Sequence, residues 1–382
     1  MRTIAVLNQK GGVGKTTTVA NTAAALAMKG QKVMIIDLDP QAHLTIHFGV
    51  NAETDGNGAY EVLTQSADLS TTLINVRNNI WLLAANINLV GAESELVSVV
   101  GRETVLREAI ETVTLPLDYI IIDCPPSLGL LTLNALAAVN EVFIPVQPHF
   151  LALQGFSKLL QTVSLVGRRI NPRLRVAAIL LCMFDTRVTL SAEVKADIKH
   201  FLDNAREAAT PWSGARIIPV HVRQNIKLAE APSHGKTIFE YEPKCNGAID
   251  YERVADYIHN YMNGDAADEA FPGSSNQETD RPDDATESVR ADGQAGHEAQ
   301  NAAVEPSSEG ADVSEPAADE RTESDDVGEE VESTAAGESS APEVRGGVPR
   351  APVQNRRRII AVAATPQRKL LNRRPFATPL GK

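Results

Sequence analysis

One stretch constrains this chain more than any other: Lys10-Gly11-Gly12-Val13-Gly14-Lys15-Thr16-Thr17. It directly follows an apolar run, Thr3–Asn8 (TIAVLN), and opens a helical stretch rich in Ala and Thr, Lys15–Met28. Glycines at this spacing let backbone N–H groups turn inward around phosphate oxygens, and the helix N-terminus adds partial positive charge at the same place. The stretch fits the phosphate-loop form G-x-x-x-x-G-K-[ST] only loosely, because Lys10 stands where the first glycine would be. Lys15 is placed to neutralise the β and γ oxygens of a nucleotide, and the Thr16 hydroxyl to ligate Mg²⁺. Two lysines flanking one tight loop repel each other unless an anion lies between or beside them. Lys10 is therefore either a solvated loop lysine or a residue that reaches the phosphates of a second subunit. In the second case its charge would act as an arginine finger does.

Two acidic strand ends complete the pattern. Lys32–Asp37 (KVMIID) runs into Leu38-Asp39-Pro40-Gln41, and Tyr119–Asp123 runs into Cys124-Pro125-Pro126-Ser127. In doubly wound sheets ligands sit beyond the carboxyl ends of the strands, which is where these aspartates fall. Asp123 suits a Walker-B role, holding Mg²⁺ directly or through water, and Asp39 suits orientation of an attacking water. Phosphoryl transfer needs mainly positioning and charge neutralisation, so no covalent nucleophile is required. Either aspartate alone would equally read as a helix cap or turn residue.

Further strand candidates are Ile80–Ala84, Val142–Val146, Arg175–Cys182 and Arg216–Pro219, with helical stretches near 103–113, 128–138, 152–170, 190–208 and 247–262. Continuous apolar strands alternating with helices predict an α/β fold, a doubly wound, mostly parallel sheet with helices on both faces. Charge divides the chain. Residues 1–264 carry 23 basic and 25 acidic residues, 265–344 carry 3 and 24, and 345–382 carry 10 and none. The expected organisation is one globular domain over 1–264, an acidic disordered linker over 265–344 and a basic disordered tail over 345–382. No run of about 18 apolar residues occurs, and the apolar run Ile4–Leu7 is too short for a signal-peptide core. Three cysteines, Cys124, Cys182 and Cys245, have no metal-ligand spacing and predict a reduced intracellular protein. Cys124 adjoins Asp123 and is read as packed against the sheet end, because a cluster would need further cysteines.

These residues resemble the ParA/Soj partition ATPases, in the deviant Walker-A group that also holds the MinD cell-division ATPases. The resemblance is carried by NQKGGVGKTTT at 8–18, IIDLDPQ at 35–41, IIIDCPPSLGLLTLNAL at 120–136, IPVQPHFLALQG at 144–155 and LAEAPSHGKTI at 228–238. It implies a P-loop ATPase that uses ATP and Mg²⁺ and forms an ATP-dependent sandwich homodimer. The dimer would bind DNA without sequence preference and be released when a ParB-type partner stimulates hydrolysis. The implied setting is the bacterial cytoplasm, on the nucleoid. By position Lys10 resembles the signature lysine acting across the dimer and Lys15 the Walker lysine. Thr16 resembles the Mg²⁺ ligand, Thr17 the hydroxyl on the inner phosphate, Asp39 the aspartate needed for hydrolysis and Asp123 the Walker-B acid. Gly11, Gly12, Val13 and Gly14 form the rest of the cradle.

The chain departs from many relatives between Pro219 and Lys227, where its text is two residues longer. Pro219 and His221 are the expected contacts to the base, and Arg223, Lys227 and Arg187 are the candidates for DNA. The basic end, with Arg356-Arg357-Arg358, reads as an electrostatic DNA tether, a membrane-surface segment or a docking peptide. A MinD-like membrane-cycling or cargo-positioning ATPase is the main alternative. A metabolic enzyme on the same scaffold and a nucleotide-gated regulator are the others.

Overall fold

The computed structural model describes residues 1–51, 57–149 and 152–261; the acidic and basic stretches beyond them lie outside the described residues. The first half of the chain runs β1 (Arg2–Val6), α1 (Lys15–Met28), β2 (Val33–Asp37), α2 (His43–His47), α3 (Ala59–Leu63), α4 (Leu69–Thr72), β3 (Ile74–Arg77), β4 (Ile80–Leu83), α5 (Leu89–Leu96), α6 (Val105–Glu111) and β5 (Tyr119–Asp123). The second half adds α7 (Leu130–Ala138), β6 (Glu141–Val146), α8 (Ala152–Arg169), β7 (Arg175–Phe184), α9 (Thr189–Ala205), β8 (Arg216–Ile217), β9 (Val222–Arg223), α10 (Ile226–Glu230), α11 (Ile238–Tyr241) and α12 (Asn246–Asp256). A single 3₁₀ turn, Ala231–His234, joins α10 to α11.

The strands lie in the order β3-β4-β2-β5-β1-β6-β7-β8, with β9 paired to the far end of β7. All pairs are parallel except the β3–β4 hairpin at the edge. The expected doubly wound α/β sheet is therefore present, with two short strands, β3 and β9, that the sequence patterning did not mark. Four residues and two residues are too few to show a period.

Alternate residues of the central strands serve two separate cores, as a pleated sheet covered on both faces requires. Ala5, Met34, Ile36, Ile120, Ile122 and Ile144 point to the side covered by α5–α9. Ile4, Val6, Val33, Ile35, Ile121 and Phe143 point to the side covered by α1 and α12. Helix α1 is buried along nearly its whole length, and five alanines let it lie close to the sheet and to α12. The Thr18 hydroxyl meets the Tyr251 hydroxyl at 3.1 Å. Asn21 donates to Thr17 O at 2.9 Å and accepts the Ile238 N–H at 2.8 Å, tying α1 to the start of α11. Leu26 is 0 % exposed in this packing. Leu26→Ala is expected to destabilise the nucleotide-free protein by about 2–5 kcal/mol, read as a lower urea midpoint at unchanged slope.

Candidate functional site

The site forms where β1, β2, β5, β6 and β7 all end on the same side of the sheet. The chain leaves β1, passes the glycines and enters α1 through Gly14, whose φ of +89° belongs to the left-handed region, as does Gly12 at +73°. Only glycine adopts these angles without strain, so the tight turn depends on them. A Cβ at Gly11 or Gly12 would meet nothing within 4 Å, so the loop's outer concave face is open. A Cβ at Gly14 would touch Cys182 at 3.7 Å, which places the end of β7 under the loop. The first N–H groups of α1 have no partner within the helix and face this opening. Lys15 is 7 % exposed and lies near enough to Asp123 to favour that carboxylate's ionised form.

Pairing β5 between β1 and β2 brings the carboxylates together. Asp123 is in register with Val6 on one side and Asp37 on the other. Thr16 donates its hydroxyl to Asp123 Oδ2 at 2.6 Å. Asp123 Oδ1 is buried with no hydrogen-bond partner among the described residues. Burial first, then the neighbouring Asp37 charge, holds the Asp123 carboxyl well above the usual carboxylate range. Asp37 is pushed up to about 6 by burial, although Thr45 and Asp39 donate to it. A buried, electron-rich oxygen without a partner, beside a threonine hydroxyl and a second carboxylate, is an all-oxygen donor set that fits Mg²⁺.

Asp37 also builds the loop that carries Asp39. It accepts the Asp39 N–H at 3.1 Å, the Thr45 N–H at 2.9 Å and the Thr45 hydroxyl at 2.8 Å. Thr45 Oγ1 in turn accepts the Ala85 N–H at 2.9 Å. Asp39 caps the turn by accepting the Gln41 N–H at 3.0 Å. The turn closes through Ala42, whose φ of +53° is a left-handed conformation with a Cβ and costs on the order of 1 kcal/mol.

The end of β6 runs along the other side of the loop. Asn8 donates to Pro145 O at 2.7 Å and accepts the Lys10 N–H at 3.0 Å. The exposed Lys10 ammonium donates to Gln147 Oε1 at 3.3 Å and is hydrogen-bonded to His149 Nε2.

A family model described as an AAA domain matches residues 1–176. The sporulation initiation inhibitor protein Soj of Bacillus subtilis is 42% identical over 254 residues, covering 66% of this chain and 96% of that protein. The chromosome-partitioning ATPase Soj of Treponema pallidum is 40% identical over 255 residues, covering 66% of this chain and 95% of that protein. The chain belongs to the ParA/Soj family of partition ATPases. Among solved structures, the cobyrinic acid a,c-diamide synthase of Mycobacterium smegmatis, with bound ADP and magnesium, is 36% identical. That match covers 68% of this chain and 94% of that one, with a TM-score of 0.56.

In this ParA/Soj chain the structure brings together Lys15, Thr16, Asp123 and the glycine loop, with Asp39 on the adjoining strand end and Lys10 on the loop's outer edge. Thr17 follows Thr16 in the first turn of α1. Pro219 and His221 lie just before β9, which pairs with β7 at Cys182 and Phe184, so they flank the same end of the sheet. The His221 ring packs on Phe184 with centroids 4.4 Å apart, and its Nδ1 is buried without a partner among the described residues. Cys124 is buried in the core beneath the site, and burial pushes its thiol upward, as expected of a packing residue.

The three DNA candidates are each held by an acid of their own chain. Arg223 makes a two-pronged pair with buried Asp250, closest at 2.8 Å. Arg187 pairs with Asp185 at 2.9 Å, and Lys227 with Glu230 at 2.9 Å. Arg223 is thus a fastener between β9 and α12, a role its position beside a Gln-Asn-Ile-Lys text did not reveal. Sequence reasoning also passed over Asn8, Asp37, Gln147 and His149. The strand-end rule that singled out Asp39 and Asp123 would have flagged all four.

Proposed function

We propose that this chain is a DNA-segregating ATPase whose ATP-bound dimer holds DNA and lets go after hydrolysis. The observation that carries the reading is the hydrogen bond from half-buried Thr16 to buried Asp123 under the glycine loop, with Lys15 beside it and a second lysine, Lys10, exposed at the loop's mouth. In this reading Gly11, Gly12, Val13, Gly14, Thr16 and Thr17 cradle the phosphates of ATP through the loop and the first turn of α1. Lys15 neutralises the β and γ oxygens from within the chain. Thr16 and Asp123 hold Mg²⁺, which when bound would neutralise charge on the leaving phosphates. Asp39 orients the water, and the Asp37 hydrogen bonds keep its loop in place. Lys10 faces outward, so it serves phosphates presented by a second copy of the chain and makes the catalytic site complete only in the dimer. Pro219 and His221 flank the base.

Residues 1–264 form the ATPase domain, and 265–344 and 345–382 an acidic linker and a basic tail. With a net charge near zero over 1–264, DNA without sequence preference is held by a local patch shared by two copies rather than by bulk attraction. The salt bridges at Arg187 and Lys227 are exposed, so a phosphate can displace their acids at low cost, unlike that of Arg223. A ParB-type partner stimulates hydrolysis, and the protein works on the nucleoid in the cytoplasm. Among the described residues no helix is long and apolar enough to cross a membrane.

DNA binding by the full-length chain, titrated with salt in ATP, ADP or no nucleotide, tests the reading. ATP-dependent binding whose logarithm falls by about 0.9 per phosphate contact for each logarithm of salt is expected. Asp39→Ala is expected to bind ATP and DNA while hydrolysis falls by about 10²-fold or more. DNA binding indifferent to nucleotide, or wild-type turnover by Asp39→Ala, would overturn it. ATP turnover that appeared only with a small-molecule acid as co-substrate would favour instead an activity like that named for the Mycobacterium smegmatis enzyme.

A further inference from the structure

The outward-facing Lys10 is not loose. The loop that carries it is pinned to the end of β6 by both ends of the Asn8 carboxamide, one on Pro145 O and one on the Lys10 N–H. The segment that follows β6 then presents both Gln147 and His149 to the Lys10 ammonium. An ammonium has three donors and no acceptor, so His149 accepts through a lone pair on Nε2 and carries its proton on Nδ1. A doubly protonated imidazole has no lone pair to offer and would place two positive charges in contact.

We propose that His149, assisted by Gln147, is a positioning residue that parks Lys10 against its own chain and releases it when His149 takes a proton. The inference rests on the reading that Lys10 acts on phosphates across a dimer. The parked lysine cannot reach a partner's nucleotide, so assembly draws only on the fraction of chains in which the contact is broken. The physical state of His149 agrees with this placement: burial first, then the charge of Lys10 across the loop, keeps it below the usual imidazole value. Among the described residues, Lys10 is the charged group whose field lowers it. The imidazole is therefore neutral, and the contact made, near pH 7 and above. As pH falls toward 6 the released form gains, because a freed His149 binds protons more readily than a parked one.

Sedimentation of the full-length protein with Mg²⁺ and a slowly hydrolysed ATP analogue, at pH 6 and pH 8, tests the proposal. The wild-type dimer is expected to be tighter at pH 6 by about threefold beyond any change seen in His149→Gln. His149→Gln keeps an acceptor that does not titrate and is expected to associate weakly at both values. His149→Ala removes the acceptor and is expected to dimerise about threefold to tenfold more tightly than wild type at pH 8. ADP affinity of the monomer, unmoved in both variants, shows that they are folded. In wild type the His149 carbon and nitrogen shifts should titrate below the usual imidazole value and move back up in Lys10→Ala. Wild-type dimer affinity for His149→Ala at pH 8, or a His149 titration that ignores Lys10→Ala, overturns the parking role. Normal dimerisation and turnover by Lys10→Ala would instead overturn the cross-subunit reading beneath it, whatever the His149 variants do.

Discussion

Lys15→Ala is expected to lose ATP turnover by about 10³-fold and ATP affinity by about 10²-fold, the scale set by stripping a buried charge partner from a polyphosphate. Lys15 is the basic residue that opens α1, and at 7 % exposure it cannot be replaced by solvent cations without opening the fold around it. Its removal acts twice. The phosphates lose a charge-assisted donor, and Asp123 loses the cation that favours its ionised form. The second effect weakens Mg²⁺ binding as well, because only the carboxylate form is a ligand. A fluorescent-nucleotide titration and a phosphate-release assay read the two losses separately. Turnover within tenfold of wild type would mean that Lys15 is a packing lysine and that the phosphates lie elsewhere.

Asp123→Asn is expected to abolish Mg²⁺-dependent hydrolysis, by about 10²-fold or more, while making the nucleotide-free protein more stable at pH 7.5. The opposite signs follow from two carboxylates in adjacent register with little water between them. Asp37 moves from 3.8 in the unfolded chain to about 6 in the fold, and Asp123 moves in the same direction. A carboxyl with a raised native value stabilises the fold below its unfolded value, and that contribution is lost as pH rises through the native one. The nucleotide-free protein should therefore lose on the order of 3 kcal/mol at Asp37 alone between about pH 4 and pH 6. Asparagine at 123 keeps an acceptor for Thr16 but removes the carboxyl that burial and the Asp37 charge hold up, so Asp123's own share of the loss disappears. Melting curves without nucleotide at pH 5 and pH 7.5, with and without Mg-ATP, measure both sides. In wild type Mg-ATP should restore the stability lost at pH 7.5; in Asp123→Asn it should add little. A variant that melts earlier than wild type at pH 7.5 would show that the carboxylates do not repel.

Much of this was readable from residues alone. The glycine spacing, the lysine after it and the apolar run before it are local, and local backbone preference translates them directly into strand, loop and helix. Asp123 stood out because it ends an apolar strand and Asp39 because it lies two residues beyond one, each at a proline-bearing turn. Pro219 and His221 were placed only by likeness, and in the structure they lie just before β9, which pairs with the end of β7. Arg223 read as a candidate for DNA because its partner, Asp250, lies on another element at a distance no spacing rule relates to it.

The sequence by itself determined the element types, the strand–helix alternation that implies a parallel wound sheet, and the phosphate-loop text, since each is read from patterns spanning a dozen or so residues. The tertiary structure alone decided strand order. Only by inserting β5 between β1 and β2 does the fold set Asp123 beside both Thr16 and Asp37, and only by laying the end of β6 along the loop does it give Lys10 a histidine to rest on. Those meetings arise from burial of two sheet faces at once, a property of the whole packed chain that no window of residues carries.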